Sequence, residues 1–317
     1  MPRSRRAARR RNRGTVGQVG LGIMGGAFAK HLLAAGYDVV GHDPAPAAAR
    51  ALTRAGGQAA GSGAEVATRT KILITSLPSP AAMEAAFFGK DGIASGARPG
   101  TVVIEASTMT LELKESLRRR LARRKVHLLD CPISGTGAQA AVKDIAVYAS
   151  GDRQAFNRCR KVFDGFARST YYCGGFGVGS KLKFVANLLV TIHNLSTAEA
   201  MVVGEKAGID LDLLYRVISD GAGSSRMFQV RGPLMVAGRY LPPHMKSEIY
   251  QKDIDIIDAF ARRLKCPTPL FSSSLPFYTA ALRQGWGKHD TAAIHAVLRK
   301  RAGLRGSSPG RTTRKGR

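Results

Sequence analysis

The sequence has few cysteines and lacks a long apolar run. Its four cysteines are scattered and form no C-x-x-C pair: Cys131, Cys159, Cys173 and Cys266. This spacing argues against a zinc site or a disulfide scaffold, and it predicts reduced thiols in a cytoplasmic protein. The longest apolar stretch, residues 184–192, is interrupted by polar residues and is shorter than the roughly 20 residues of a membrane helix. We therefore expect neither a bound metal nor a membrane partner.

Acidic residues are scarce, with 22 Asp and Glu against 49 Lys and Arg and a net charge of +27. Residues 1–13 contain seven arginines, residues 299–317 contain eight Lys or Arg, and neither segment contains an acid. Because they offer little apolar surface to bury, residues 1–14 and 302–317 are predicted to be disordered basic tails. Contact with nucleic acid or another polyanion is one role for such tails. The absence of aromatic residues among the arginines favours the alternative, a solvated extension.

Short apolar runs alternate with helix-forming segments rich in Ala, Leu and Arg between residues 16 and 150. The runs predict strands at 16–19, 37–41, 71–77, 101–106 and 126–129, with helices at 25–35 and 111–124 among the intervening segments. Strands separated by helices pair in parallel through right-handed crossovers. The pattern therefore predicts an α/β fold with a doubly wound Rossmann domain over residues 15–178.

The pattern changes after the glycine-rich segment 174–179. Ser180 is predicted to cap a long helix over residues 181–206 that contains no proline. Further helices are predicted at 210–219, 247–264, 270–283 and 291–301. The sequence therefore predicts a long interdomain helix and an all-α C-terminal domain over residues 179–301, with roles in substrate binding and oligomerisation.

A glycine loop lies between the first strand and the first helix. Its residues Gly20-Leu21-Gly22-Ile23-Met24-Gly25 match the dinucleotide-binding pattern G-x-G-x-x-G. The first glycine permits a tight turn, the second lets the backbone approach a pyrophosphate, and the third packs helix on strand. N–H groups at the helix start, together with the helix dipole, favour the bound anion. A tight turn without a ligand is the alternative.

Asp43 supports the dinucleotide interpretation. It lies 21 residues after Gly22 at the end of the second strand, where a carboxylate accepts hydrogen bonds from the adenosine ribose hydroxyls. A carboxylate repels a 2′-phosphate, and no arginine follows before Arg50. The sequence therefore predicts NAD as cofactor in preference to NADP.

Four motifs in order resemble those of the 3-hydroxyacid (β-hydroxyacid) dehydrogenase family, which includes 3-hydroxyisobutyrate dehydrogenase. The glycine loop is the first, and the others are similar to D-x-P-[VI]-S-G, G-x-G-x-x-x-K-x-x-x-N and a K-D pair. They are found at Asp130-Cys131-Pro132-Ile133-Ser134-Gly135, at Gly177-Val178-Gly179 with Lys183 and Asn187, and at Lys252-Asp253. The resemblance covers about residues 15–298.

The resemblance implies NAD(P)-dependent oxidation of a small 3-hydroxy acid, or reduction of the matching semialdehyde or keto acid. It also implies a homodimer or homotetramer. Lys183 would be the general acid/base, and Asn187, four residues later on the same helix face, would fix the substrate hydroxyl or support the lysine. Without the motif, a lysine on a helix is usually a solvated charge, as expected for Lys181.

The remaining assignments also rest on the resemblance. Ser134, Gly135 and Thr136 would bind the substrate carboxylate through hydroxyl and backbone N–H donors. Thr136 departs from the family's usual glycine, and it would narrow the pocket or add a hydroxyl contact. Residues after two strand ends would line the nicotinamide side, and a lysine of the C-terminal domain would reach the cofactor edge. These are Leu77, Pro78, Ser107 and Thr108 at the strand ends, and Lys252.

Two other interpretations compete with a hydroxyacid dehydrogenase. Imine reductases resemble the same family but generally lack the lysine, so Lys183 and Asp43 favour alcohol chemistry. A polyanion-binding protein would use the basic tails. In 6-phosphogluconate dehydrogenases the lysine helix carries K-x-x-H-N, whereas Ala186 occupies the histidine position here.

Overall fold

A computed structural model of the chain describes residues 13–304, so most of both predicted basic tails lies outside the described residues. Contacts divide the chain into two compact units, residues 1–183 and 184–317. The division falls within the longest helix, which begins at Val178. No helix within residues 13–304 is long and apolar enough to cross a membrane.

The first unit is built on a parallel sheet. Its strands are β1 (Thr15–Val19), β2 (Asp38–His42), β3 (Gln58–Ala59), β4 (Ile72–Thr75), β5 (Val102–Glu105) and β6 (His127–Asp130). They lie in the order β3-β2-β1-β4-β5-β6, and every neighbouring pair is parallel. This is the Rossmann strand order, so the fold prediction is confirmed. The order reverses between β1 and β4, and ligands of such sheets bind beside the carboxyl ends of the strands at that reversal.

Helices and two apolar cores cover the strands of this sheet. The helices are α1 (Ile23–Ala34), α2 (Pro46–Arg54), α3 (Gly63–Arg69), α4 (Pro80–Phe88), α5 (Ile93–Gly96), α6 (Leu111–Ala122), α7 (Gly137–Ala141) and α8 (Arg153–Phe166). One core includes Phe28 and Phe163, and a second includes Phe87 and Leu117. Burial of these side chains is the main force that holds the helices on the sheet.

A second, smaller sheet was not predicted from the sequence. Its strands are β7 (Ile133–Ser134), β8 (Ala146–Ala149) and β9 (Ser169–Tyr172). They lie in the order β7-β8-β9, with the first pair antiparallel and the second parallel. Their sequences IS, AVYA and STYY lack the runs of Val, Ile and Leu that indicate the buried parallel strands.

The second unit is helical. Its helices are α9 (Val178–Lys206), which begins in the first unit, α10 (Leu211–Asp220), α11 (Arg226–Val236), α12 (Ser247–Arg263), α13 (Pro269–Arg283) and α14 (Ile294–Arg301). The predicted all-α C-terminal region is confirmed, although α11 was missed. The prediction that Ser180 caps the long helix is wrong, because the helix begins two residues earlier. Ser180 is buried and donates through Oγ to Asp130 Oδ1 at 2.7 Å.

His295 is a buried titratable group of α14. It is 1% exposed, and its Nδ1 lies 3.0 Å from the hydroxyl of Tyr240. Its Nε2 has no hydrogen-bond partner within the described part of the chain. Burial, reinforced by the nearby Arg299, lowers the pKa of His295 to about 4. The folded state therefore holds this imidazole neutral.

We predict that His295 makes the fold sensitive to acid. Its folded pKa lies below the ordinary value near 6.5, so the unfolded chain binds the proton more readily. This contribution to the free energy of unfolding is fully present above pH 6.5 and is lost as the pH falls towards 4. The loss is roughly 2 kcal/mol at pH 5. Urea unfolding between pH 5 and 7.5 should show a smaller pH dependence for His295→Gln than for the wild type.

His193→Gln is the matched control, because His193 lies on α9 with a partly exposed side chain. It should keep the wild-type dependence of the free energy of unfolding on pH. Equal slopes for His295→Gln and the wild type would refute the assignment.

Candidate functional site

The glycine loop connects β1 to α1 with little free space at two of its glycines. Gly20 has φ +84°, and a Cβ there would lie 2.2 Å from the Ser76 carbonyl oxygen. A Cβ at Gly25 would lie 1.9 Å from the carbonyl oxygen of Gly20. A Cβ at Gly22, in contrast, would meet no atom of the described residues within 4 Å. Gly20 and Gly25 are thus required by packing, whereas Gly22 leaves open space.

That open space lies at the start of α1, where the sequence predicts that a pyrophosphate binds. Gly22 is the N-cap of α1 and has no side chain with which to cover the first backbone N–H groups. These N–H groups and the positive end of the helix dipole favour an anion. Gln18 of β1 stabilises the loop, because its buried side chain donates through Nε2 to the Gly20 carbonyl at 2.9 Å. Gln18 was not predicted as a site residue, because a polar residue in a short strand carries no distinctive signal.

Asp43 connects the end of β2 to the glycine loop. Its Oδ2 accepts from the backbone N–H of Leu21 at 2.7 Å, and its Oδ1 accepts from that of Ala45 at 2.8 Å. An ionised carboxylate has about four acceptor positions, so acceptors remain for ribose hydroxyls. The carboxylate is therefore held beside the loop in a fixed orientation.

The residues predicted to line the nicotinamide side follow β4 and β5. Leu77 N–H donates to Ser107 Oγ at 2.9 Å, and Ser107 N–H donates to Glu105 Oε1 at 2.8 Å. Pro78 is exposed and Thr108 is partly buried. The structure thus joins the two strand ends through hydrogen bonds.

The predicted substrate loop runs from β7 into α7. Ser134 and Gly135 are partly exposed, and Gly135 has φ +141°. Thr136 is the N-cap of α7: its Oγ accepts from Gln139 N–H at 3.4 Å, while its own N–H donates to Gln139 Oε1 at 3.0 Å. The hydroxyl that distinguishes this chain from the family's usual glycine therefore caps a helix.

Behind this loop lies a buried cluster of charged side chains. Lys114 Nζ is 2.7 Å from Glu105 Oε2 and 2.7 Å from Asp130 Oδ1, and all three side chains have 0% exposure. Burial alone would lower the pKa of Lys114, but Asp130 and Glu105 outweigh it and raise that pKa above its ordinary value. The cluster was not predicted from the sequence, because a lysine in the arginine-rich segment 111–124 suggests a solvated helix surface.

Asp130 also holds the start of α9. Its Oδ2 accepts from the backbone N–H of Ser180 at 2.8 Å. Lys183 lies one helical turn later and is partly exposed, whereas Lys181 is exposed. The lysine singled out by the sequence motif is therefore on a helix whose first turn is bonded to a buried carboxylate.

In the second unit, Asn187 and Lys252 meet at one carboxylate. Asn187 Nδ2 donates to Asp253 Oδ2 at 3.0 Å, and Lys252 Nζ lies 2.9 Å from Asp253 Oδ1. The Tyr250 hydroxyl donates to the Asn187 carbonyl at 3.0 Å, and burial raises the pKa of Tyr250 well above its ordinary value. Asp253 belongs to the K-D pair, but its contact with Asn187 was not predicted from the sequence.

No group of three or more metal-binding side chains occurs in the residues that the structure describes. All four cysteines are free thiols. Cys131 and Cys159 are buried, and burial raises the pKa of both thiols. They are therefore poorly suited to act as nucleophiles.

Family models match both parts of the chain. One, described as the NAD-binding domain of 6-phosphogluconate dehydrogenase, matches residues 15–175. Another, described as NAD-binding of NADP-dependent 3-hydroxyisobutyrate dehydrogenase, matches residues 177–298. These matches confirm the predicted NAD-binding fold and the family resemblance.

Individual relatives agree with the family models. L-threonate dehydrogenase of Cupriavidus necator is 35% identical over 284 residues, covering 89% of this chain and 95% of the relative. A solved structure of 3-hydroxyisobutyrate dehydrogenase from Salmonella typhimurium has a TM-score of 0.82 at 34% identity, covering 89% of this chain and 99% of that chain. The Streptomyces aurantiacus imine reductase, with a TM-score of 0.59 at 19% identity over 90% of this chain and 99% of that chain, shares the fold.

Sequence motifs, fold and relatives thus agree over the same span of residues. The chain therefore belongs to the 3-hydroxyacid dehydrogenase family and is an NAD(P)-dependent oxidoreductase that acts on a CH–OH group.

Proposed function

We propose that this enzyme transfers a hydride between NAD and a small hydroxy acid, with Lys183 as the general acid/base. The observation that carries the proposal is the position of Lys183 in the second turn of α9, three residues after Ser180. The side chain and backbone of Ser180 are bonded to the buried Asp130. A general acid/base needs a defined position relative to the substrate oxygen, and a helix fixed at its start provides one.

The proposed roles of the side chains follow the two directions of the reaction. When bound, the nicotinamide would supply the hydride chemistry, as acceptor in oxidation and as donor in reduction. For oxidation, Lys183 in its amine form takes the proton from the substrate hydroxyl. For reduction, its ammonium form donates a proton to the carbonyl oxygen. Asn187, whose amide is oriented by Asp253, would position the substrate hydroxyl or support the lysine.

The substrate carboxylate would be bound by the loop after β7. Ser134 offers a hydroxyl and Gly135 a backbone N–H, both of them donors to a carboxylate. Because the hydroxyl of Thr136 caps α7, we assign Thr136 a role in the shape of the pocket rather than a hydrogen bond to substrate. The relatives suggest L-threonate and 3-hydroxyisobutyrate as candidate substrates.

The proposal also includes the cofactor contacts and the assembly. The loop from Gly20 to Gly25 would bind the pyrophosphate. Asp43 would bind the adenosine ribose, and Leu77, Pro78 and Thr108 would line the nicotinamide. Lys252 would contact the cofactor edge. The usual assembly of the family supports a homodimer or homotetramer, which sedimentation velocity would test.

An imine reductase is the second candidate, because the fold is shared with such an enzyme. Lys183 speaks against it, since imine reductases generally lack the lysine. NADPH-dependent reduction of a cyclic imine, with no turnover of hydroxy acids, would favour this candidate over ours.

We predict that the enzyme oxidises at least one member of a panel of L-threonate, 3-hydroxyisobutyrate and L-serine. Lys183→Ala should lower kcat by about 10²- to 10⁴-fold, because the proton at the substrate oxygen then has no acceptor. Its affinity for NADH, measured by fluorescence, should stay close to that of the wild type. Absorbance of NADH at 340 nm follows turnover.

Lys181→Ala is the matched control, since Lys181 is an exposed lysine two residues earlier on the same helix. It should keep the wild-type kcat. Full activity in Lys183→Ala, or no turnover of any hydroxy acid by the wild type, would refute the proposed function.

We also predict that Asp43 determines the preference for NAD over NADP. Asp43→Asn removes the negative charge that repels a 2′-phosphate but keeps an acceptor for Leu21 N–H. The ratio of kcat/KM for NAD to that for NADP should fall about tenfold or more.

Asp38→Asn, at the opposite and exposed end of β2, should leave that ratio unchanged. An NAD preference that survives in Asp43→Asn would show that another group selects the cofactor.

A further inference from the structure

Asp130 joins three segments of the first unit that are far apart in the sequence. One carboxylate, at the end of β6, pairs with Lys114 of α6 at 2.7 Å. It also accepts from Ser150 Oγ at 3.1 Å, and from the hydroxyl and N–H of Ser180 at 2.7 and 2.8 Å. Asp130, Lys114, Ser150 and Ser180 are buried, with exposures of 0, 0, 0 and 1%. A carboxylate with so many short contacts has little freedom to move.

The cluster has more acceptor oxygens than its one lysine can satisfy. Two buried acidic side chains, Glu105 and Asp130, share the single ammonium group of Lys114. A buried charge is strongly unfavourable unless dipoles or hydrogen bonds compensate it. The 29-residue helix α9 provides both, because the N–H of Ser180 in its first turn donates to Asp130 Oδ2, which lies at the positive end of the helix dipole.

The start of α9 is also sterically fixed against the strands. A Cβ at Gly179 would lie 2.2 Å from the Tyr148 carbonyl oxygen and 2.9 Å from that of Asp130. The N–H of Gly179 donates to Ser150 Oγ at 3.0 Å. The first turn of the helix therefore contacts the ends of β6 and β8 without an intervening side chain.

Glu105 extends the same network towards the strand ends beside the cofactor. Its Oε2 pairs with Lys114, and its Oε1 accepts from Ser107 N–H at 2.8 Å. Ser107 Oγ in turn accepts from Leu77 N–H at 2.9 Å. Successive ion pairs and hydrogen bonds thus join the ends of β4, β5 and β6 to α9, the helix that carries Lys183.

We propose that Asp130, held in place by Lys114, is a positioning residue that fixes Lys183 relative to the strand ends that follow β4 and β5. In the family's D-x-P-[VI]-S-G motif the aspartate would then act through the helix rather than on the substrate. This inference rests on the proposed role of Lys183. It assigns a function to a buried ion cluster that takes no direct part in the reaction.

We predict that Asp130→Asn lowers kcat by about 10- to 100-fold, because loss of the charge weakens the bonds to Ser180 and displaces Lys183. Ser180→Ala removes one hydrogen bond, and its kcat should fall by about threefold to tenfold. In both variants the dissociation constant for NADH should change by less than about twofold, since the glycine loop is untouched. Lys181→Ala is again the control.

Stopped-flow and steady-state kinetics, with thermal unfolding of each variant, separate positioning from stability. A lower kcat at an unchanged NADH dissociation constant supports the proposal. A variant that loses thermal stability but keeps kcat at a temperature where it is folded would overturn it. Parallel losses of kcat and NADH affinity would also overturn it, because they indicate general disruption. If Asp130→Asn does not fold, Ser180→Ala supplies the same test.

A labelling experiment tests the positioning without using turnover. An amine-reactive acetylating reagent is applied to the holoenzyme, and mass spectrometry gives the ratio of Lys183 to Lys181 modification. We expect this ratio to change in Asp130→Asn and Ser180→Ala, and an unchanged ratio in both would overturn the proposal. If Lys183→Ala proves fully active but the labelling ratio still changes, the proposed function fails while the effect of Asp130 on Lys183 stands.

Discussion

A lysine ammonium buried between two carboxylates is the interaction on which the geometry of the first unit depends. Parallel strands bring their carboxyl ends to one edge of the sheet, and polar groups collect there. Lys114 lies between Glu105 and Asp130, which end two neighbouring strands. Asp130 also accepts hydrogen bonds from the N–H and hydroxyl of Ser180 in the first turn of α9. Strand ends and helix start therefore form one bonded structure rather than several independent loops.

Much of the fold could be predicted because its signals are local. Apolar runs, the glycine loop and the spacing to Asp43 each depend on residues close in sequence, and a parallel sheet follows from their alternation. The strands β7 to β9 gave no such signal, since they lack runs of Val, Ile and Leu. Ser180 was misassigned for a related reason. A serine at the start of an apolar run suggests a cap, and only the position of Asp130, 50 residues away, places it inside the helix.

In the candidate site, too, the residues within local motifs were predicted, and the contacts between distant segments were not. Lys183, Asn187 and Lys252 were found as members of ordered motifs, and their proposed roles still rest on the family resemblance. The side chains that orient them were missed, because the contacts join distant segments. The bond from Asn187 to Asp253 spans 66 residues, and the one between Lys114 and Asp130 spans 16. Lys114 lies among arginines and glutamates in a segment of surface character, which hides its burial.

The three glycines of the nucleotide loop also differ in why a larger residue is unfavourable at each position. Gly20 and Gly25 are surrounded by backbone, so a side chain at either position disturbs the fold itself. At Gly22 a methyl group would meet no atom of residues 13–304 within 4 Å, and it would occupy the space that we propose for the pyrophosphate. A substitution at Gly22 is therefore expected to weaken cofactor binding while the fold is kept. A descendant that kept this architecture for a purpose other than redox chemistry would be free to drift first at Gly22.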